Sequence, residues 1–222
     1  MTGSQQKRHS DYVKHKGILL VLSSPSGAGK TTLTHLLLEQ EKYVTLSISA
    51  TTRAPRPGEE EGVHYYFKSR DEFKVLLQQN AFYEHAKVFG NYYGTLREPV
   101  ETALNQGYDV ILDVDWQGAQ QLIQEDTNRV VSIFILPPSL EALEERLRKR
   151  AQDEETVIQY RMSQALREIS HWAEYDYVIV NDHLEKSLND IRSIIRSERL
   201  KRWRQVGLSD FIHNLDQTQD DL

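Results

Sequence analysis

The run Ser24-Pro25-Ser26-Gly27-Ala28-Gly29-Lys30-Thr31 follows directly on the apolar stretch Ile18-Leu19-Leu20-Val21-Leu22. A strand, a glycine-rich turn and a helix in that order make a phosphate-binding loop. Successive backbone N–H groups in such a turn converge on an anion, and the positive end of the following helix adds to the attraction. Gly27 and Gly29 would permit positive φ and close approach of the backbone to a ligand. Lys30 can reach β- and γ-phosphates, and the Thr31 hydroxyl can ligate Mg²⁺. The chemistry is therefore the handling of a nucleotide polyphosphate. The usual pattern begins with glycine; Ser24 stands there, which supplies the N–H but turns less freely.

Further groups suit an anionic, flat-ringed partner. Thr51-Thr52-Arg53-Ala54-Pro55-Arg56-Pro57-Gly58-Glu59 holds two arginines in a proline-stiffened segment. Arginine suits forked contact with phosphate oxygens, and the prolines lower the entropy lost in holding it. Three aromatic clusters follow, Tyr65-Tyr66-Phe67, Phe82-Tyr83-Glu84 and Asn91-Tyr92-Tyr93-Gly94-Thr95. They can line a pocket for a ring with polar edges; Phe67, Phe73 and Phe82 equally suit a small aromatic core. Asp113 and Asp115 are two apart, hence on one face of a strand, and either could meet a metal shell or a base. Asp115 could instead cap a helix beginning at Trp116. Arg146 and Arg150 lie one helical turn apart. Arg148 and Lys149, among glutamates, read as surface ion pairs of little worth.

The elements that must position these groups follow from hydrophobic periodicity. Apolar runs at 17–23, 109–114, 130–136 and 176–180 read as buried strands, with a weaker alternating run at 44–49. Helical patterns cover 30–40, 97–106, 139–151, 154–174 and 184–204. Near-continuous apolar strands alternating with helices predict an α/β fold of three layers, its parallel sheet covered on both faces. Ligands in such sheets bind at the carboxyl ends of the strands, which gathers Lys30, Ser49 and Asp113 at one rim. The aromatic stretch 53–96 and the arginine-rich stretch 146–161 read as insertions over that rim. The basic run from Arg192 to Arg204 reads as a solvated helix face.

The 222 residues are enough for one sizeable domain, with 39% hydrophobic residues to fill a core. A net charge of −6 argues against electrostatic binding to nucleic acid or to an anionic membrane. The absence of cysteine excludes disulfides, thiolate metal sites and cysteine nucleophiles, and fits a reducing compartment. No run approaches a membrane span, and the polar residues 1–16 lack the apolar segment of a secretory signal, so a cytoplasmic protein is expected. Residues 1–16 and 207–222 read as polar tails.

Taken in order, the phosphate loop, S-x-T-T-R-x-P-R-x-G-E at 49–59, F-Y-E at 82–84, G-N-Y-Y-G-T at 90–95, I-L-D-V-D-x-Q-G at 111–118, the arginine-rich segment and V-I-V-N-D at 178–182 resemble the guanylate kinases. The resemblance covers about residues 17–203. It implies a core at 17–52, 97–136 and 162–206, a small mixed GMP-binding region at 53–96, and a helical lid at about 137–161. It implies reversible phosphoryl transfer from ATP to GMP and dGMP, with Mg²⁺ as cofactor. The ATP site falls on Ser26, Gly27, Ala28, Gly29, Lys30, Thr31 and Thr32, with Asn181 near the adenine. The GMP site falls on Ser49, Arg53, Arg56, Glu59, Tyr65, Glu84, Tyr93, Thr95 and Asp113. Lys30, Arg53, Arg146, Arg150 and Arg161 would stabilise the charge in flight, and Thr31, with Asp113 as a candidate, would meet the metal. A relative that has lost catalysis would use the GMP pocket to hold phosphorylated peptides. The intact Gly27, Gly29, Lys30 and Thr31 speak against that. The state of assembly, monomer or homo-oligomer, is left open.

Overall fold

The computed structural model of the protein describes residues 14–88, 90–125, 128–150 and 155–217; the side chains of residues 88, 150, 216 and 217 lie outside the described set. The expected strands become a five-stranded parallel sheet in the order β10 (Tyr177–Val180), β9 (Val130–Leu136), β2 (Leu19–Ser23), β8 (Asp109–Asp113), β3 (Val44–Leu46). β2 is central and buried along its whole length, as its unbroken apolar sequence requires. Its side chains divide by alternation. Leu20 and Leu22 pack with Leu33 and Leu37 of α1 (Lys30–Gln40) and with Leu188, Ile191 and Ile195 of α7 (Leu184–Arg199). Leu19 and Val21 pack on the other face with Val100 and Leu104 of α3 (Arg97–Asn105) and Ala119 and Leu122 of α4 (Trp116–Glu125). The three layers are those expected.

The weak run at 44–49 is two strands, not one. It breaks at Ser47 and Ile48, and β4 (Ser49–Thr51) leaves the core sheet for a second, mixed sheet. That sheet has the order β5 (Tyr66–Phe67), β4, β7 (Asn91–Leu96), β6 (Phe82–Val88). β4 pairs antiparallel with β7, setting Ser49 opposite Thr95 and Thr51 opposite Tyr93, and Thr95 also stands opposite Glu84 of β6. The small core here is Ala50, Phe73 and Phe82, with Phe73 stacked on Phe82 and on Tyr92 at ring separations of 4.4 and 5.5 Å. Phe67 lies outside that cluster, tilted against Tyr65 at 5.9 Å.

Several expectations are corrected. α2 (Arg70–Gln78) fills part of the insertion, started by a capping box between Ser69 and Glu72. α4 lies outside the helical patterns read from periodicity, and begins at Trp116 as the capping reading of Asp115 allowed. The pattern at 154–174 is α6 (Glu155–Ile169) followed by a short 3₁₀ turn, Trp172–Glu174. α7 stops at Arg199, and its basic end is not simply solvated. Arg192 pairs with Glu41 at 2.6 Å, Arg199 with the fully buried Asp109 at 2.6 Å, and Arg204, itself 1% exposed, donates to the carbonyl of Asn128 at 3.0 Å. Inward carboxylates and carbonyls, invisible to a charge count, turn these arginines into braces. The expected tail at 207–222 begins with α8 (Leu208–Gln217), whose apolar residues Leu208, Phe211, Ile212 and Leu215 recur at helical spacing. It is preceded by β11 (Gln205–Val206), antiparallel to β1 (Lys14–His15), so residues 14–15 of the expected N-terminal tail are structured. Residues 1–13 and 218–222 of the expected tails, and 151–154 of the expected lid, lie outside the described residues. Among the described residues no helix is long and apolar enough to cross a membrane.

Candidate functional site

The phosphate loop joins the end of β2 to α1. Gly27 and Gly29 have φ of 93° and 104°, the left-handed space that glycine enters freely. Gly29 also has no room for a side chain, because a Cβ there would lie 2.4 Å from Asn181 Nδ2. Asn181, buried, donates that amide to the Ala28 carbonyl at 2.8 Å. Arg146 reaches the same carbonyl at 3.3 Å and the Asn181 carbonyl at 3.3 Å. Ser24 donates its hydroxyl to the Pro25 carbonyl at 3.1 Å. Among the described residues Asn80 is the only non-glycine at positive φ, so Ser24 occupies ordinary backbone space and its position does not demand glycine. Lys30 forms an ion pair with Asp113 at the end of β8. Around these groups lies a cavity of about 710 Å³, lined among others by Ser26, Gly27, Lys30, Thr31, Thr32, Asp113, Asp115, Arg146 and Asn181.

The second sheet carries the other group. Glu84 is 7% exposed, and its Oε1 accepts from the Thr95 hydroxyl at 2.7 Å. Its other oxygen faces Gly118 of α4, where a Cβ would stand 3.1 Å away. Burial pushes the Glu84 carboxyl above the usual range, helped by the nearby negative Asp115 and opposed by the Thr95 hydroxyl. Asp115 accepts the Gly118 N–H at 2.9 Å, the helix-capping role, while also lining the phosphate cavity.

Arg53 donates to Glu59 at 2.8 Å and to the Ala54 carbonyl at 2.7 Å, and its guanidinium sits 5.4 Å from the Tyr65 ring centre. Tyr65 and Tyr93 meet edge to face at 6.1 Å. The bond from Arg53, with the backbone N–H of Arg56 at 2.7 Å, holds the Glu59 carboxyl down at about 2. Arg53 is raised by the same pairing. The Arg56 side chain is exposed. Tyr83 leaves the aromatic set: it is buried, its hydroxyl bonds to Glu101, and it braces β6 instead of lining a pocket.

The structure brings Lys30, Thr31, Asp113, Arg146 and Asn181 to one cavity, and sets Ser49, Glu84 and Thr95 at facing registers of three adjoining strands. The backbone of Arg150 ends α5 (Leu140–Arg150), but its side chain lies outside the described residues; Arg161 is on α6. Arg148 pairs with Glu144 and Glu155, and Lys149 with Glu145, as surface ion pairs should, though Lys149 also borders the cavity. Sequence reasoning gave Gly118, the last residue of the I-L-D-V-D-x-Q-G run, no role of its own, and missed Glu168, which lines the cavity with no motif to mark it.

A strand, a glycine-rich loop with an invading lysine, and an acidic strand end beside it, all at the carboxyl edge of a parallel sheet, define a P-loop kinase fold. The guanylate kinase family model matches residues 16–198. The guanylate kinase of Rhodospirillum rubrum is 53% identical over 203 residues, covering 91% of this chain and 93% of that protein. That of Sphingopyxis alaskensis is 54% identical over 206 residues, covering 93% and 94%. The crystal structure of guanylate kinase from Anaplasma phagocytophilum superposes with a TM-score of 0.71 at 43% identity, covering 90% of this chain and 95% of that one. The chain belongs to the guanylate kinase family. It is a nucleoside monophosphate kinase, and the reaction is phosphoryl transfer from ATP to GMP.

Proposed function

We propose that the two groups divide this reaction between them, the phosphate loop holding ATP and the second sheet reading GMP or dGMP. The observation that carries the division is Asp115, which lines the phosphate cavity and caps the helix whose Gly118 abuts Glu84. The donor cavity and the base reader thus share one wall.

The loop amides and Lys30 receive the ATP phosphates. Arg53, Arg56, Tyr65 and Tyr93 hold the GMP phosphate. Glu84, with Ser49 and Thr95, reads guanine, whose N1–H and N2–H₂ are adjacent donors matched by a carboxylate. Adenine would set a lone pair against it, and sites built on such matching discriminate by about 10⁴–10⁵. The residues present fit Mg²⁺. Thr31 and Asp113 offer hard oxygen donors in the cavity, and among the described residues no cluster of three His, Cys, Asp or Glu side chains makes a protein cage. Mg²⁺ keeps several waters and needs only one or two protein oxygens beside substrate phosphates. Held by Thr31, with Asp113 as a candidate, the ion would supply positive charge against that developing on the phosphates. The protein supplies the rest by position. Lys30, Arg146, Arg150 and Arg161 offset the charge spread over the moving group, Arg53 aligns the acceptor phosphate, and no side chain need act as nucleophile.

A coupled assay of ADP release with ATP and Mg²⁺, comparing GMP, dGMP, AMP, CMP and UMP, tests the reading. Turnover confined to GMP and dGMP is expected. A folded preparation that binds GMP but releases no ADP would overturn it in favour of a binding module.

A further inference from the structure

Glu168 sits one residue from the end of α6 and has no part in the division of labour above. Its Oε2 accepts the Ser26 N–H at 3.2 Å, and its carboxylate lines the phosphate cavity. The side chain is half-buried. Burial raises its pKa, while the Ser26 N–H and the charge of Lys30 pull it down. The Ala28 N–H is satisfied within the loop by Pro25 at 3.1 Å, so at Ser26 the acceptor is imported from a distant helix.

That helix belongs to a pair. Leu143 and Leu147 of α5 form an apolar seam with Ala165 and Met162 of α6. The same two leucines press on Gly27, where a Cβ would meet them at 3.1 and 3.2 Å. Consecutive residues of the phosphate loop therefore hold the α5–α6 pair in two ways, Ser26 by a hydrogen bond and Gly27 by packing. Apolar packing tolerates sliding, whereas a hydrogen bond to a backbone N–H sets one alignment. Arg161 lies seven residues before Glu168, two helical turns, and so on the same face of α6. Arg146 on α5 already touches the loop at Ala28.

We propose that Glu168 is a positioning residue, which registers the α5–α6 pair on the phosphate loop through the Ser26 N–H, so that the arginines of the pair meet the phosphates in one alignment. The proposal rests on the phosphoryl-transfer reading. What matters is an acceptor oxygen at the reach of a glutamate, not the charge. Misplacement of catalytic groups by about 1 Å costs about 10²-fold.

The test is steady-state kinetics of wild type, Glu168→Gln, Glu168→Asp and Glu168→Ala with ATP and GMP varied separately. Glutamine keeps the oxygen and the reach; aspartate keeps the charge and loses a methylene of reach. The expected result is kcat lowered roughly 10- to 100-fold in the alanine and aspartate variants, KM for GMP within about twofold of wild type, and the glutamine variant within about threefold of wild type throughout. Aspartate equal to wild type, glutamine as impaired as alanine, or alanine within about twofold of wild type would each overturn it. A uniform rise in both KM values would also overturn it, since that marks general loosening of the fold. If alanine does not fold, the glutamine and aspartate variants still decide. Wild type without turnover of GMP would refute the function proposed above; an active wild type with equal variants refutes only the role of Glu168.

Discussion

Replacing Glu84 by glutamine separates what this carboxylate does for the fold from what it does for the reaction. The side chain is 7% exposed, with one oxygen on Thr95 and the other against Gly118. On the reading proposed above it would accept from two adjacent N–H donors of guanine; glutamine would offer one acceptor and turn an N–H₂ toward the remaining donor. Hydrogen bonds to a charged group contribute about 1.5–3 kcal/mol each, and a buried mismatch costs about 1–3 kcal/mol more. Losing one bond and gaining one mismatch totals about 2.5–6 kcal/mol, or roughly 10²- to 10⁴-fold in kcat/KM for GMP. Stability moves the other way. Burial raises the folded pKa of Glu84, so the native state favours the protonated acid, and that advantage is lost as pH rises through the folded value. Glu84→Gln is neutral at every pH and is therefore expected to melt higher than wild type at neutral pH, with the gain shrinking in acid. Competing GMP and AMP in the coupled assay, together with thermal melts across pH, reads both effects. A variant that keeps kcat/KM for GMP within threefold, or that melts lower at neutral pH, refutes the reasoning.

Gly29→Ala should lose most ATP binding and some stability. Its φ of 104° costs a substituted residue about 1–3 kcal/mol, and the Cβ meets Asn181 at 2.4 Å; calorimetry with ATP and a thermal melt check both. Ser24→Gly should leave KM for ATP unchanged within about twofold, because Ser24 is not held at positive φ. The Glu59 carboxyl, held at about 2 by Arg53, keeps its contribution to stability above the usual carboxylate pKa and loses it only as pH falls toward that value. The acid limb of kcat/KM for GMP should therefore flatten in Glu84→Gln to that set by protonation of the substrate phosphates, about pH 6, and keep its wild-type shape in Glu59→Gln, measured from about pH 4 to pH 8.

The core strands were legible because burial on both faces leaves apolar, β-branched runs, and the phosphate loop because its residue types are dictated by backbone approach to an anion. The second sheet was harder. Its strands are short and half-exposed, so alternation is weak, and β3 and β4 merge into one run although Ser47 and Ile48 divide them between two sheets. The capping box of α2 stood in the sequence at Ser69 and Glu72 but was masked by the surrounding polar insertion. Gly118 weakened the helical pattern of α4, since glycine lowers helix propensity; a Cβ there would press on Glu84 and Val114 at 3.1 Å. α8 was misread because the acidic run that follows it dominates the composition. Pairings across great separation, such as Arg199 with Asp109 or Ser26 with Glu168, leave no local signature at all.

The break at Ser47 and Ile48 has a consequence for how such a protein can change its substrate. The chain enters the second sheet there and leaves it at Leu96, where β7 runs straight into α3. On the functional reading above, the stretch between these joints chooses the acceptor, while the donor machinery lies outside it. Among the described residues two covalent joints, the packing of β6 against α4 at Glu84 and Gly118, and the reach of Tyr83 to Glu101 of α3 then tie the two together. A different acceptor reader could be exchanged at those joints with the phosphate loop untouched, provided that its inner strand again packed closely on α4 at Gly118 and kept a partner for Glu101.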